Sequence, residues 1–114
     1  MTEQSRVAAL VVAAGKGERA GGDIPKQYRR IAGRAVVARA CDALAAHPAI
    51  DSVHVVIGAG QAELLADAFG GNPPAFLTGG ATRRDSVRAG LAAIDADIVL
   101  IHDAARPFLP PAVI

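Results

Sequence analysis

The chain has 114 residues, of which 52% are hydrophobic and 20% are charged, and its formal net charge is +1. This balance is typical of one soluble hydrophobic core, and a charge so close to zero argues against nucleic acid or a membrane surface as a partner. The lone Cys41 excludes a disulfide framework and a cysteine metal site, and since no signal peptide is recognisable we expect a cytoplasmic protein.

The first predicted element is a strand at 7–12, which is short, aliphatic and uncharged, as expected of a strand buried on both faces of a parallel sheet. After it, Gly15 and Gly17 allow the backbone to approach a phosphate closely. The segment 13–34 carries six cationic residues against two acidic ones. Because ligands of parallel sheets bind beyond the carboxyl ends of the strands, we predict a polyphosphate site here.

Several types of site compete for this segment. Residues 15–20 fit G-x-G-x-x-A, the dinucleotide fingerprint of nicotinamide oxidoreductases, but that fingerprint needs a helix to begin at the glycines. Gly21, Gly22 and Pro25 interrupt any such helix, and the Gly-Lys-Ser/Thr ending of a P-loop is absent. We favour a long, basic, extended loop that binds phosphates, and a solvated surface loop is the alternative.

The rest of the chain alternates predicted helices and strands. Such alternation predicts an α/β protein with a Rossmann-like, three-layer architecture and a mainly parallel sheet. The chain stops where another helix should begin, so we expect 1–114 to be the N-terminal part of a single domain, truncated at its C-terminus. The predicted elements are a helix with an apolar stripe from Val36 to Leu44, closed by Pro48; a strand at 52–58; a helix with Leu64, Leu65, Ala68 and Phe69 inward, stopped by Gly70 and Gly71; a weak strand at Ala75–Thr78; a helix opened by Thr82 and Asp85, with Val87, Gly90, Leu91 and Ile94 inward; and a central, buried strand at 97–102.

Two further clusters follow predicted strands. In the segment 79–87, two glycines allow a flat ring to lie against backbone, and Ser86 can bond the polar edge of that ring; an ordinary capped helix is the alternative. At 102–107, Asp103 is placed to hold Mg²⁺ or a ribose hydroxyl, and Arg106 to bind a second anion. The alternative is that Asp103 and Arg106 only pair with each other.

Together these motifs resemble the 2-C-methyl-D-erythritol 4-phosphate cytidylyltransferases, which are nucleotidyltransferases. The resemblance is carried by Ala-Ala-Gly-x-Gly-x-Arg at 13–19, Pro-Lys-Gln-Tyr at 25–28, Gly-Gly at 79–80 with Arg83 and Asp-Ser-Val at 85–87, and His-Asp-Ala-Ala-Arg-Pro at 102–107. It spans nearly the whole chain. The sequence departs from many members of the family at Val12, where they have proline, and at Ala81, where they have an acidic residue.

The resemblance implies a role for each matching residue. Arg19 and Lys26 would clamp the phosphates as the catalytic cations. Asp103 would serve Mg²⁺ and the ribose, and Arg106 would lie near the methylerythritol phosphate. The implied nucleotide-binding residues are Ala13, Ala14, Gly15, Gly17, Gly80, Arg83, Ser86, Asp103 and Ala104.

The implied reaction transfers a cytidylyl group from CTP to 2-C-methyl-D-erythritol 4-phosphate in non-mevalonate isoprenoid biosynthesis. The alternatives are a ribitol 5-phosphate cytidylyltransferase and a nucleotide-binding fragment without catalysis, and we expect the isolated 114 residues to be inactive. The resemblance also implies a homodimer or larger homo-oligomer for the full-length protein. Some members are fused to 2-C-methyl-D-erythritol 2,4-cyclodiphosphate synthase, and the sequence leaves that possibility open.

Overall fold

The computed structural model describes residues 6–14 and 25–104, and within them helices alternate with strands as the sequence predicts. Every predicted helix and strand is present, each within a few residues of its predicted bounds. In chain order the elements are β1 (Val7–Ala13), a 3₁₀ turn (Lys26–Tyr28), β2 (Arg30–Ile31), β3 (Arg34–Ala35), α1 (Val36–Ala45), β4 (Ser52–Ile57), α2 (Ala62–Ala68), β5 (Ala75–Thr78), α3 (Arg83–Ala93) and β6 (Ile98–Asp103).

Four of the strands form one sheet in the order β5-β4-β1-β6, and all of its neighbouring pairs are parallel. Strand β1 lies between β4 and β6, and from Ala8 to Ala13 no residue is more than 7% exposed. An uncharged aliphatic strand suits this place, because side chains on both of its faces are removed from water. The predicted parallel sheet is confirmed.

Helices cover both faces of the sheet. On one face Val11 packs with Val37 of α1 and Leu65 of α2 in the hydrophobic core. Side chains alternate along a strand, so Leu10 points to the opposite face. There it meets α3, which comes so close that a Cβ added at Gly90 would lie 2.5 Å from Leu10 Cδ2. This arrangement confirms the three-layer prediction.

A small antiparallel hairpin, β2–β3, was not expected within the predicted extended loop. Its two-residue turn has both central residues at positive φ, Ala32 at 52° and Gly33 at 85°. That is the backbone of a tight hairpin turn whose usual sequence signal is Asn-Gly or Asp-Gly, and this chain has Ala-Gly instead. Arg39 of α1 donates to the carbonyl oxygens of Ile31 and Ala32, at 2.9 and 3.3 Å, and so holds the turn against the helix.

Two burial predictions are wrong. Leu91 is 42% exposed, because α3 buries only Ser86 and Gly90 against the sheet. Strand β6 is not central in the part of the chain that the structure describes: it pairs with β1 on one side and forms an edge of the sheet. Helices α1 and α3 pack mainly on β1 and β4, which leaves Ile98 47% and Ile101 44% exposed on β6.

Candidate functional site

The carboxyl ends of the four parallel strands meet along one edge of the sheet, which we call the rim. Its members are aligned by the strand register, in which Ala13 is opposite Ile57, Ile57 is opposite Thr78, and Val12 is opposite Asp103. Two backbone bonds extend the pairing past the strands, from Gly79 N–H to Ile57 O at 2.7 Å and from Ala104 N–H to Val12 O at 3.0 Å. With neighbouring strands about 4.8 Å apart, the rim extends about 14 Å from β5 to β6.

The structure brings to this rim most of the predicted site residues that it describes. Residues from three separate motifs lie at the ends of β1, β5 and β6. Lys26 is the first residue of the 3₁₀ turn, and the next residue, Gln27, is hydrogen-bonded to the end of β1. The predicted site residues within the described part are Ala13, Ala14, Lys26, Gly80, Arg83, Ser86, Asp103 and Ala104. Four others lie outside the described residues: Gly15, Gly17, Arg19 and Arg106.

The turn that carries Lys26 is anchored from below. Lys26 is exposed, whereas Gln27 and Tyr28 are each only 5% exposed. Gln27 Nε2 donates to Ala13 O at 2.8 Å, and the Tyr28 hydroxyl donates to Gln61 Oε1 at 3.1 Å. Burial raises the pKa of Tyr28 to about 12, so the phenol stays neutral and keeps its proton for this bond.

The anchoring roles of Gln27, Tyr28 and Gln61 were not predicted from the sequence. A glutamine in a basic, glycine-rich segment is expected to face solvent, and no periodic pattern in the sequence indicates that it is buried. The only available signal was the Pro-Lys-Gln-Tyr string itself, which indicates a family resemblance and does not indicate which of its side chains are buried. These polar contacts connect residues 14 to 33 positions apart, which local patterns do not encode.

The turn between β5 and α3 depends on the absence of side chains. A Cβ added at Gly79 would lie 2.3 Å from Ser86 Oγ and 2.8 Å from Val56 Cγ1. Ser86 is 1% exposed, and its hydroxyl lies beneath the turn, 3.5 Å from Gly80 O. The Ser86 hydroxyl therefore supports the Gly79–Gly80 backbone from inside.

Helix α3 begins at this turn with the predicted cap. Thr82 Oγ1 accepts a hydrogen bond from Asp85 N–H at 3.1 Å, which satisfies one of the free amides at the start of the helix. Arg83 is the first residue of α3, three positions after Gly80 in the chain, and it is exposed. The segment thus presents exposed backbone at Gly80 and the cation of Arg83 at the start of α3.

Two of the cations counted in the basic segment are engaged elsewhere. Arg34 binds both carboxylate oxygens of Asp42, at 2.6 and 2.9 Å, and its guanidinium lies 5.6 Å from the centre of the Phe69 ring. The bond to Asp42 raises the pKa of Arg34. Arg30 pairs with Asp67 at 3.1 Å. Both arginines fasten the β2–β3 hairpin to α1 and α2, so they are structural.

Asp103 is the acidic side chain with which the rim could serve a metal. It is the last residue of β6, it is exposed, and in register it lies opposite Val12. Within the described residues, no group of three or more His, Cys, Asp or Glu side chains could hold a metal ion by itself. A carboxylate at this place suits Mg²⁺, which binds through one or two carboxylates together with phosphate oxygens and water.

Comparison with known proteins agrees with this geometry. Residues 7–114 match the family model described as IspD: 2-C-methyl-D-erythritol 4-phosphate cytidylyltransferase. The whole chain is 71% identical to part of a bifunctional enzyme IspD/IspF of Rhizorhabdus wittichii and covers 30% of it. A 4-diphosphocytidyl-2C-methyl-D-erythritol synthase of Anaerococcus prevotii superposes with a TM-score of 0.75 at 27% identity, over 96% of this chain and 47% of that one.

The bifunctional IspDF of Campylobacter jejuni shares the fold, with a TM-score of 0.80 at 24% identity over 96% of this chain and 28% of that one. The chain thus spans about 30% of the length of the curated relatives that it matches. Among the helices in the described residues, none combines the length and apolar character needed to cross a membrane.

Proposed function

The chain belongs to the family of 2-C-methyl-D-erythritol 4-phosphate cytidylyltransferases, and on that premise we propose that it builds the CTP site of such an enzyme. The product would be 4-diphosphocytidyl-2-C-methyl-D-erythritol, with pyrophosphate released. The observation that carries the proposal is that three motifs far apart in sequence lie together on the rim. Ala13 ends β1, Asp103 ends the adjacent strand β6, and Gly79 follows β5, which is separated from β1 only by β4.

The proposed placement of the nucleotide follows the rim from β5 to β6. The cytosine lies at Gly80, where the exposed backbone can approach a flat ring, with Arg83 and the Ser86-supported turn beside it. The nucleoside crosses Ala13 and Ala14 at the end of β1. Asp103 and Ala104 close the far side next to the ribose and the metal. The triphosphate takes the segment 15–19, with Gly15, Gly17 and Arg19, together with Lys26.

The chemistry asked of these side chains is placement and charge neutralisation. An oxygen of the methylerythritol phosphate attacks the α-phosphorus of CTP in line, a new P–O bond forms, and the bond to the pyrophosphate oxygen breaks. The attacking oxygen is already anionic, so the step requires no general base and no covalent enzyme intermediate. Lys26 and Arg19 would stabilise the negative charge that moves onto the bridging and departing oxygens, and Arg106 would hold the acceptor phosphate.

Mg²⁺ is the proposed metal, with Asp103 as its protein ligand. When bound, the ion would neutralise phosphate charge and fix the geometry of the triphosphate. The fit rests on the carboxylate that β6 presents at the rim beside β1. Mg²⁺ ordinarily binds one or two carboxylates together with phosphate oxygens and water, so the carboxylate of Asp103 and the phosphates of CTP are suitable ligands for it.

The complete enzyme is proposed to be longer than this chain. The chain spans 47% of a solved family member and 30% of its bifunctional relatives, so we propose that 1–114 is the N-terminal part of a nucleotidyltransferase domain within an enzyme of the fused type. The isolated 114 residues are expected to lack turnover. A homodimer or larger homo-oligomer of the full-length protein and a cytoplasmic location stay predictions.

The proposal is tested by nucleotide choice in the complete enzyme. Cytosine and uracil differ in whether the exocyclic group donates or accepts a hydrogen bond, and a site built for one leaves its buried groups unpaired against the other. We expect kcat/KM for CTP to exceed that for UTP by about 10²-fold or more, with purine triphosphates weaker still. Gly80→Val should exclude all pyrimidines, because a Cβ at Gly80 would lie 2.4 Å from Asp85 Cβ and would displace the turn that faces the base. Ser86→Ala should narrow the gap between CTP and UTP, because it removes the hydroxyl that supports the same turn from beneath.

Arg30→Met is the matched control, because Arg30 is fastened to Asp67 and should leave nucleotide choice unchanged. Equal use of CTP and UTP by the wild-type enzyme would overturn the cytidylyltransferase assignment.

A further inference from the structure

The position of Lys26 depends on a short turn that cannot be stable alone. The 3₁₀ turn has three residues, and its own backbone bonds are those from Tyr28 N–H to Pro25 O and from Arg29 N–H to Lys26 O. Such turns have poor hydrogen-bond geometry, and one turn of helix is unfavourable without outside contacts. A lysine is moreover a point charge on a flexible four-carbon stem, so the precision of its ammonium depends on how firmly its backbone is held.

The first outside contact comes from Gln27. Its side chain is 5% exposed, and its Nε2 donates to Ala13 O across 2.8 Å in a buried setting. Ala13 ends β1, a strand that is paired on both sides, with β4 and with β6. A buried amide that loses its partner keeps the full cost of desolvation, so this bond strongly favours one arrangement of the turn.

The second contact comes from Tyr28 and reaches the neighbouring strand. Its hydroxyl donates to Gln61 Oε1, and the same oxygen accepts the N–H of Gly58 at 2.9 Å, directly after β4. Gly58 allows this close approach, since a Cβ there would lie 3.0 Å from the Gln61 side chain and 3.1 Å from Ala14 O. Tyr28 is therefore bonded, through Gln61, to the end of β4.

We propose that Gln27 and Tyr28 are positioning residues that fix Lys26 relative to the ends of β1 and β4. The two residues that follow Lys26 are tied to two adjacent strand ends, so the backbone of Lys26 can neither slide along the rim nor lift from it. The inference rests on the proposed function, because it assigns Lys26 to a polyphosphate whose nucleoside lies on Ala13 and Ala14. Neither Gln27 nor Tyr28 touches the substrate in this scheme.

The test is a double-mutant cycle in the complete enzyme, with Gln27→Met and Lys26→Ala. Methionine keeps the length and burial of the side chain and removes the donor to Ala13 O. A small misplacement of a charged group can lower a rate by up to about 10²-fold, so we expect Gln27→Met to lower kcat about 10-fold to 10²-fold with a smaller change in KM for CTP. In the Lys26→Ala background the same substitution should change kcat less than about twofold, because the group it positions is gone.

Tyr28→Phe is the milder second variant, which keeps the ring and removes only the bond to Gln61. Arg30→Met is the control, since it removes a structural ion pair four positions from Lys26 without touching either anchor. Its small effect should be the same with and without Lys26. If Gln27→Met and Tyr28→Phe are also additive with Lys26→Ala, both residues are ordinary core residues and the inference is overturned.

Binding of inorganic triphosphate, measured by calorimetry in the same variants, separates this inference from the proposed function. We expect Gln27→Met to weaken that binding only where Lys26 is present. If this holds while the wild-type enzyme fails to use CTP, the positioning role stands and the cytidylyltransferase assignment falls. If the enzyme uses CTP, but the effects of Gln27→Met and Lys26→Ala on triphosphate binding and on kcat are additive, the cytidylyltransferase assignment stands and the positioning role falls.

Discussion

The two sides of the rim hold their backbone in opposite ways. The Lys26 side is held by polar side chains that reach across from a short turn to the ends of β1 and β4. The Gly79–Ser86 side is held by close packing, because the side chains of Ser86 and Val56 lie so close to Gly79 that no Cβ fits there. Hydrogen bonds thus fix the backbone on the Lys26 side, whereas the absence of a side chain at Gly79 permits the close packing on the other side.

The difference fits the tasks proposed for the two sides. A cation that stabilises developing negative charge on a flexible triphosphate must have a fixed position, and hydrogen bonds to the strand ends fix the backbone of Lys26. A flat base instead needs an unobstructed backbone surface, which glycine provides because it has no side chain. Loss of the cation on the first side should therefore lower the rate, whereas a methyl group added at Gly79 on the second side should lower the stability of the protein.

The largest expected effect is on the first side. In the complete enzyme, Lys26→Ala should lower kcat about 10²-fold to 10³-fold, with a smaller change in affinity for CTP, because one preorganised charge that acts in the transition state is lost. Steady-state kinetics with CTP and methylerythritol phosphate measures both. The unfolding midpoint in urea should hardly change, since Lys26 is exposed.

The matched comparison is Arg30→Ala, which removes a cation of the same segment that is paired with Asp67. Its turnover should stay close to that of the wild type. Normal turnover of the Lys26→Ala enzyme would show that Lys26 is not a catalytic residue. Lys26 and Arg30 would then be equally unimportant for the reaction.

On the second side, Gly79→Ala should act through stability. The added methyl would lie within 2.8 Å of Ser86 and Val56 atoms, and neither lies at the end of a long flexible side chain. Overpacking of this kind costs about 1–3 kcal/mol. Urea unfolding of wild type and variant gives the difference directly.

A double variant sharpens this prediction. Ser86→Ala removes the Oγ that is nearest to the added methyl, at 2.3 Å, and so should recover part of the loss. The cost of the double variant should then be smaller than the sum of the two single costs. Additive costs would show that the turn moves away from Ser86 when it is enlarged, and that close packing does not hold it.

The sequence predicted the parts of this molecule that follow from local patterns. A run of uncharged aliphatic residues identified β1, glycines at 70 and 71 marked the end of α2, and Thr82 with Asp85 marked the start of α3. Because parallel strands end on the same edge, their order in the chain was enough to place the motifs of 13–14, 79–80 and 103 on one rim.

What the sequence did not reveal depends on contacts between distant residues. Counting charges could not separate Arg30 and Arg34, which are paired with acids of α2 and α1, from Lys26 at the rim. The hairpin turn at Ala32 and Gly33 lacks the usual residue signal and relies on Arg39. The burial of Gln27 likewise follows from the end of β1, 14 positions earlier.

The smallest expected effect concerns the anchored side at high pH. The pKa of Tyr28 is raised by burial from 10.0 to about 12, so between these values the unfolded chain releases the phenol proton while the native protein keeps it. The native state then binds more protons, and the free energy of unfolding falls as the pH rises through this range. Tyr28→Phe cannot titrate. Near neutral pH it should be less stable than the wild type by about 1 kcal/mol, for the lost bond to Gln61. Between pH 10 and 12 the raised pKa costs the wild type more stability than this one bond provides, so the gap should close and then reverse before pH 12.

Cys41 provides the control for this prediction, because its pKa is also raised to about 12, mainly by burial, and its side chain lies in the core under α1, where it joins none of the bonds that anchor the turn. Cys41→Ala should likewise flatten the alkaline fall in stability, beginning near pH 9, where a free thiol starts to ionise. It should leave triphosphate binding unchanged, whereas Tyr28→Phe should weaken it. Urea unfolding as a function of pH and calorimetry with triphosphate give both readings. Stability curves for wild type and Tyr28→Phe that stay parallel up to pH 12 would mean that burial does not raise the pKa of the phenol in the native protein, and would contradict this prediction.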